Sequence, residues 1–412
     1  MKKLLSILCL LAALTACSSD DSTGNDRSAT MTEGRTVLIY MAAENSLSPH
    51  VANSLEQIKA GSRLIGSGNT LLVYVDRSEP KELPWLARIR DGVVTDSVSL
   101  SDMGISQQNE YASDPQLMES VLKYAFSHHP AKHDYGLVLW GHSTGWLVDP
   151  DTIAYKRAYG VDNGHNDRSD VGKWVNLPTL ARVLGKQPHL KFIFADCCNF
   201  MCLESLYELR TVTDYIIGSP AEIPGVGAPY QQVVPAMFGA SDDFCRDVAA
   251  NYYARPVNGR TLPMAVVQTS ALPELAQATR RVLTTIGNRL AGSYADLTGL
   301  IHYYNSGAVF SPDYNIFYDA GDFIAKHAPA SDYQSWQQAL SRAVVCKFYA
   351  PMWNTDKPWS SFYADFTATE SRCHGLSMFV PQDPARGSYA RYNRDIKQLQ
   401  WYYAAGLDAI AH

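Results

Sequence analysis

Two stretches decide the fold: YGLVLWGHSTGW at residues 135–146 and LKFIFADCCNF at residues 190–200. Each begins with a short apolar run rich in branched and aromatic side chains, which predicts a buried strand, and each turns polar where that strand should end. Three further runs have the same character: TVLIYM from Thr36, TLLVYV from Thr70 and DYIIGS from Asp214. Because amphipathic stretches separate these runs, the sequence predicts an α/β three-layer sandwich with a mainly parallel sheet.

The predicted helices between the strands cover residues 47–65, 114–128, 177–184 and 199–210. From about residue 241 the alternation gives way to mostly helical patterns, at residues 243–255, 272–291 and 333–345, followed by one late strand, GLSMFVP, from Gly375. We therefore predict an α/β domain over residues 35–240 and a mostly helical C-terminal subdomain over residues 241–412. The functional edge of the α/β domain should lie at the carboxyl ends of its strands.

The first residues of the chain have the pattern of an export signal. Two lysines precede an apolar run that is too short to span a bilayer, and the run ends in LTAC, which resembles a bacterial lipobox. Residues 1–16 are thus predicted to be a lipoprotein signal peptide, with lipid attached to Cys17 and a polar, flexible tether over residues 17–34. The alternative is a plain secretory signal. An exported lipoprotein at the outer membrane or cell surface is expected, held to the membrane by acyl chains.

The composition excludes several classes of protein. The chain has 412 residues, 46% of them hydrophobic, and a formal net charge of -6. No run of basic residues is present that would neutralise a phosphate backbone, so nucleic acid is not an expected partner. Three cysteines crowd into residues 197–202, but adjacent cysteines are poor tetrahedral ligands, and no second Cys or His pair at zinc-finger spacing accompanies them. We expect no metal site and no cofactor.

The GHSTG segment after the third predicted strand has two interpretations. It matches the G-x-S-x-G nucleophile elbow, which would make Ser143 the nucleophile of an α/β-hydrolase-type esterase. That elbow opens a helix directly, whereas Pro150 and the lack of helical periodicity argue against a helix here. The other interpretation takes His142 as a general acid and base at a strand end.

The DCC segment offers a partner for His142. A thiol placed at a strand end and in the first turn of a helix lies among unpaired N–H groups that favour the thiolate. Neighbouring residues of a strand face opposite sides, so only one of Cys197 and Cys198 faces the cleft, and the residues alone do not choose between them. Cys202, inside the predicted helix, is expected to be structural. A non-catalytic surface protein that binds peptides or glycans is a third alternative.

Several segments resemble the clostripain family of cysteine peptidases, which shares a caspase-like fold with gingipains and legumains. The start TVLIYMAAENSL, with Asn45, is similar to the family's first strand, LWGHSTGW to its histidine segment, and DCCNFMCLESLYEL to its cysteine segment. The spacing of Asp196, Cys198 and Glu204 fits the family pattern. IIGSPAEIPGVGAPY and GLSMFVP resemble later segments, so the resemblance extends from about residue 35 to the C-terminus.

The resemblance implies a cysteine endopeptidase acting on peptide or protein substrates. The family's nucleophile falls on Cys198 and its histidine on His142, with an oxyanion held by the backbone N–H groups of Ser143 and Cys198. The family's acidic residue two positions before the cysteine falls on Asp196, which implies cleavage after Arg or Lys. Two departures stand out: Ser143 replaces the glycine that usually follows the histidine, and Cys197 replaces the usual alanine.

The resemblance also raises two regulatory expectations. Family members are often zymogens cut between the histidine and the cysteine, and the polar stretch 149–174 contains Lys156 and Arg157. Self-cleavage after one of these residues is the hypothesis, and an unprocessed surface loop is the alternative. Some relatives use calcium, although the sequence contains no EF-hand pattern.

Overall fold

The computed structural model describes residues 31–79, 82–105, 111–148, 158–164, 172–257, 259, 261–303, 315–353 and 366–411. The predicted signal peptide, Cys17, Lys156 and Arg157 lie outside the described residues, as does most of the predicted tether. None of the helices in the described ranges is long and apolar enough to cross a membrane.

A nine-stranded sheet forms the centre of the protein, in the order β12-β10-β9-β8-β5-β1-β2-β3-β4. The five strands from β9 to β2 are parallel, and β12, β10, β3 and β4 pair antiparallel at the two edges. The strands of this sheet are β1 (Thr36–Ala43), β2 (Thr70–Arg77), β3 (Trp85–Arg90), β4 (Val93–Ser99), β5 (Tyr135–Gly141), β8 (Leu190–Asp196), β9 (Thr213–Gly218), β10 (Met264–Gln268) and β12 (Val344–Phe348). Two small antiparallel pairs accompany it: β6 (Tyr159–Asp162) with β7 (Lys173–Val175), and β11 (Tyr318–Asp319) with β13 (Ser377–Met378).

The α-helices connect and cover these strands. They are α1 (Val51–Ser62), α2 (Pro115–His128), α3 (Leu177–Leu184), α4 (Leu203–Leu209), α5 (Tyr230–Met237), α6 (Phe244–Tyr253), α7 (Leu272–Leu290), α8 (Ala320–His327), α9 (Ala330–Ala343), α10 (Tyr389–Asp395) and α11 (Gln400–Ala405).

Each face of the sheet buries its own apolar cluster. Side chains alternate along a strand, so Leu38 and Tyr40 of β1 join one cluster and Val37 and Ile39 join the other. The first face packs against α2, α3, α4 and the C-terminal helices α7 to α11, and the second against α1, α5 and α6. The result is the predicted α/β three-layer sandwich, with a mainly parallel sheet and a helical C-terminal region.

The five strands predicted from apolar runs are all present, at β1, β2, β5, β8 and β9. The antiparallel edge strands were not predicted, and two of them, β10 and β12, come from beyond residue 241 and join the main sheet. The division into domains at residue 240 stays a prediction. The helix predicted over residues 199–210 is wrong at its start, because α4 begins only at Leu203.

Candidate active site

His142 and Cys198 follow neighbouring parallel strands at the same edge of the sheet. β5 and β8 pair in a register that sets Trp140 opposite Asp196, so His142 and Cys198 each lie two residues beyond the same rung. His142 is half-buried, and the thiol of Cys198 is also partly exposed. This edge is where open parallel sheets bind their ligands.

The two adjacent cysteines differ in accessibility. Cys197 is 0% exposed and belongs to the apolar cluster of the first face. Burial raises the pKa of the Cys197 thiol well above its usual value, which keeps it protonated and inert. Cys198 is the accessible thiol of the pair, and its Sγ accepts a hydrogen bond from the backbone N–H of Ile223 at 3.4 Å.

The chain does not enter a helix directly after Cys198, contrary to the prediction. Asn199 has a left-handed backbone (φ 53°) and donates its N–H to Ala221 O, and Met201 donates to Ser219 O. These bonds fasten the segment to the loop after β9 and delay the start of α4. The expected helix N-terminus is therefore absent beside the thiol, and the Ile223 N–H lies there instead.

The loop after β1 supplies a contact to His142 that sequence reasoning missed. Ser46 Oγ lies 2.9 Å from His142 Nε2. The buried Asn45 shapes this loop, because its Nδ2 donates to Ala42 O and to Val161 O and its Oδ1 accepts from Leu47 N. In the sequence, the only indication of a role for Ser46 was its position next to Asn45 in the segment that resembles the family's first strand. The indole of Trp174, on β7, lies 6.4 Å from the imidazole between ring centroids.

Ser143 does not stand in a nucleophile elbow. No helix follows it within the described residues up to 148. Its side chain is buried and its Oγ accepts a hydrogen bond from Gly145 N at 3.1 Å. In the described ranges, non-glycine residues with positive φ are Asp91, Asp96, Asn199 and Ala291, so Ser143 replaces a glycine here without requiring a left-handed backbone.

Asp196, the last residue of β8, lies on the opposite face of the sheet from Cys197 and is 2% exposed. Its Oδ2 accepts hydrogen bonds from Ala228 N at 3.0 Å and from the Tyr230 hydroxyl at 2.7 Å. Its Oδ1 is buried without a hydrogen-bond partner of good geometry, with the Tyr252 hydroxyl nearby. Burial raises the pKa of the Asp196 carboxyl, and the two hydrogen bonds oppose that rise.

Three further acidic side chains meet close to this edge. Glu44, Asp76 and Asp162 are buried, and each contributes a carboxylate oxygen to a group whose members all lie within 4.8 Å of one another. Burial, and then repulsion from neighbouring carboxylates, raise the pKa of Asp76 and of Asp162. Because these residues come from distant segments of the chain, no local sequence motif predicted that their carboxylates would meet.

The family assignment rests on the whole chain as well as on this edge. The model of the clostripain family of C11 peptidases matches residues 39–410. The chain belongs to the clostripain family. It is therefore a C11 cysteine peptidase, a hydrolase, and the resemblance inferred from the segments around His142 and Cys198 is confirmed.

Solved structures of other clostripain-family peptidases share the fold. A secreted C11 cysteine protease from Bacteroides thetaiotaomicron, in complex with an irreversible peptide inhibitor, is 29% identical with a TM-score of 0.72, covering 91% of this chain and 99% of that one. An inactive zymogen C11 protease from Parabacteroides distasonis is 28% identical with a TM-score of 0.70 and the same coverage. No protein with a curated description matches the chain.

Proposed function

We propose that this clostripain-family peptidase is an endopeptidase that cleaves after Arg or Lys with His142 and Cys198 as its catalytic pair. The proposal rests on the register of β5 and β8: Trp140 pairs with Asp196, so the residues that follow both strands lie at one edge of the sheet. The burial of Cys197 leaves Cys198 as the accessible thiol next to it. The related protease bound to a peptide inhibitor supports peptides as the substrate class.

The proposed reaction has two steps. The Cys198 thiolate attacks the scissile carbonyl carbon, and the backbone N–H groups of Ser143 and Cys198 stabilise the oxyanion. The C–N bond breaks as the His142 imidazolium gives its proton to the leaving amine. Water then attacks the thioester carbonyl carbon while His142 accepts its proton, the C–S bond breaks and the peptide acid is released, which regenerates the Cys198 thiolate and the His142 imidazolium. Ser46 holds the imidazole by the contact at Nε2.

Asp196 is the proposed selector of basic side chains. It precedes Cys198 by two residues in the sequence, and its Oδ1 is buried without a hydrogen-bond partner of good geometry. An Arg or Lys side chain that reached this oxygen would form a charge-assisted hydrogen bond. The backbone of Gly227 packs closely against the carboxylate, since a Cβ there would lie 2.9 Å from Asp196 Oδ2, so a side chain at this position would crowd Asp196.

The catalytic pair is tested with purified single variants. Wild type, Cys198→Ala, Cys197→Ala and Ser143→Ala are incubated with Arg- and Lys-containing peptides and with a short-chain ester. We expect peptide cleavage to be lost in Cys198→Ala and retained in Cys197→Ala, the matched control at the adjacent buried thiol. Cleavage that survives in Cys198→Ala, or ester hydrolysis lost only in Ser143→Ala, contradicts the proposal.

The role of Asp196 is tested by selectivity rather than by total activity. Asp196→Asn should lose most of its preference for Arg and Lys over uncharged residues, measured as a ratio of kcat/KM values. Tyr230→Phe is the control, because it removes a hydrogen bond to the carboxylate while keeping the charge. If Asp196→Asn folds and keeps the selectivity of wild type, Asp196 is only a support for the loop around Ala228.

Self-processing after Lys156 or Arg157 is proposed as an activation step. Both residues lie outside the described ranges, and the proposal is supported by the polar stretch that contains them and by the zymogen relative from Parabacteroides distasonis. Mass spectrometry of the purified chain should show a cut after one of these residues in wild type and an intact chain in Cys198→Ala. Clipping at the same place in Cys198→Ala would show that another protease is responsible.

A lipid anchor on Cys17 is proposed from the LTAC segment. The related protease from Bacteroides thetaiotaomicron is secreted, which is consistent with export of this chain. Cells fed a clickable fatty acid should label the wild-type protein in the membrane fraction. Cys17→Ser should be unlabelled and soluble, and labelling that persists in this variant argues against the anchor.

A further inference from the structure

We infer that Glu44, Asp76 and Asp162 form a binding site for a divalent cation of the calcium class, close to the sheet edge that holds His142. The family resemblance raised calcium without a place for it, and these three residues provide one that fits. The site is separate from the proposed chemistry, because none of its ligands takes part in the steps at Cys198.

The fold brings the three carboxylates to one face of the sheet. In β1 and β2, Ala42 pairs with Asp76, and Glu44 lies two residues beyond Ala42 on the same face. Asp162 ends β6, which crosses over the end of β1 where Asn45 Nδ2 bonds to Val161 O at 2.7 Å. The site therefore joins the ends of three strands.

The carboxylates are buried where water cannot screen them. Glu44, Asp76 and Asp162 are 6%, 3% and 0% exposed. In the part of the chain that the structure describes, no ion pair involves Asp76 or Asp162, and Asp76 Oδ2 is buried with no hydrogen-bond partner. Ionised carboxylates this close repel strongly at low dielectric, so a cation or shared protons must lie between them.

The spacing and the ligand type favour a cation of the size of calcium. Calcium binds carboxylate oxygens at roughly 2.3–2.6 Å, so two of its ligands lie at most about 5 Å apart. The separation within 4.8 Å of the three oxygens meets this limit. Zinc prefers nitrogen and sulfur ligands, and magnesium usually keeps several waters and strict octahedral geometry, which suits a buried carboxylate site poorly.

A bound cation would stiffen the support of the catalytic histidine. Glu44 precedes Asn45 and Ser46 directly, and Ser46 Oγ contacts His142 Nε2. On the other side, Asp162 belongs to the same strand as Tyr159, which pairs with Ser143. Filling the site would thus fix the two backbone segments that flank His142.

The test uses the full chain with Cys198→Ala, which prevents self-digestion and makes binding independent of the proposed activity. The protein is stripped with EDTA, and its Tm is measured while calcium or magnesium is added, with isothermal titration calorimetry alongside. We expect a single-site calcium isotherm and a Tm that rises with calcium concentration, because a ligand that binds only the folded state stabilises it. Magnesium should shift the Tm less at equal concentration.

On the same background, Asp76→Asn should weaken calcium binding without lowering the Tm in EDTA. It should lower calcium affinity by at least about tenfold and should leave the Tm in EDTA equal to or above that of its parent, because it removes repulsion between carboxylates. Glu44→Gln provides a second variant if the first does not fold. Asp242→Asn, an exposed acidic position, is the matched control and should keep the parent's calcium response. A parent Tm that calcium does not change, or equal calcium shifts in the parent and in the folded ligand variant, would overturn the site.

Discussion

Glu204→Gln should change how the stability of this protein depends on pH. Glu204 lies in the first turn of α4 and is 0% exposed. Its Oε1 accepts a hydrogen bond from Phe379 N at 2.7 Å, whereas its Oε2 is buried with no hydrogen-bond partner. Burial raises the pKa of the Glu204 carboxyl from 4.5 to about 7.

The sign and size of the effect follow from proton linkage. The folded state keeps the Glu204 proton to a higher pH than the unfolded state does, so the contribution to stability is full below the unfolded pKa and is lost as pH rises through the folded pKa. A pKa unit corresponds to about 1.4 kcal/mol, so the free energy of unfolding should fall by about 2–3 kcal/mol between roughly pH 5 and 8 through this group. Gln cannot ionise and avoids the loss while retaining an acceptor for Phe379 N.

The assay is urea unfolding followed by tryptophan fluorescence at pH 5 and pH 8, on the Cys198→Ala background to prevent autolysis. The stability of Glu204→Gln relative to its parent should rise by about 2–3 kcal/mol from the lower to the higher pH. Glu56→Gln, at an exposed position of α1, controls for the loss of a carboxyl and should follow the parent. Parallel pH profiles for Glu204→Gln and its parent would refute the reasoning, since they would mean that the folded protein accommodates the ionised carboxylate.

Three further predictions concern the site and its scaffold. Ser46→Ala removes the 2.9 Å contact to His142 Nε2, so kcat should fall about 3- to 10-fold with little change in KM; steady-state kinetics with an unchanged kcat would exclude a positioning role. Gly136→Ala sets a Cβ 2.4 Å from the Phe192 ring and should lower the free energy of unfolding, measured in urea, by about 1–3 kcal/mol. Adding Phe192→Leu should restore part of this loss. If Gly136→Ala is as stable as wild type, the ring moves aside freely. Asn199→Ala should lower the free energy of unfolding by about 1–2 kcal/mol, because φ is 53° at this position, whereas Asn199→Gly should leave it nearly unchanged. A thermal melt in which Asn199→Gly is less stable than Asn199→Ala would contradict backbone strain.

Local sequence was sufficient for the centre of the fold. The apolar runs beginning at Thr36, Thr70, Tyr135 and Leu190 are buried strands, and they end close to where the polar residues begin. Burial on both faces of a parallel sheet requires continuous apolar runs, and such runs are visible without any tertiary information. Because parallel strands share one carboxyl edge, the positions of His142 and Cys198 at that edge also followed from the pattern.

Tertiary contacts decided the details around that edge. Strand alternation predicted that only one of Cys197 and Cys198 faces the cleft, but only the packing of the first face showed which of them is buried. The late start of α4 depends on hydrogen bonds from Asn199 and Met201 to the loop after β9, and helical spacing within residues 199–210 carries no information about that loop.

The most distant relationships were invisible in the sequence. The edge strands β10 and β12 pair with each other across residues far apart in the chain, and their side chains gave no strong local signal. The meeting of Glu44, Asp76 and Asp162 likewise depends on how β1, β2 and β6 converge. The sequence by itself thus determined which segments of the sheet centre are strands and which edge holds His142 and Cys198, because hydrophobic periodicity is local. The structure alone decided which side chains meet there, because their contacts join residues that are close only after folding.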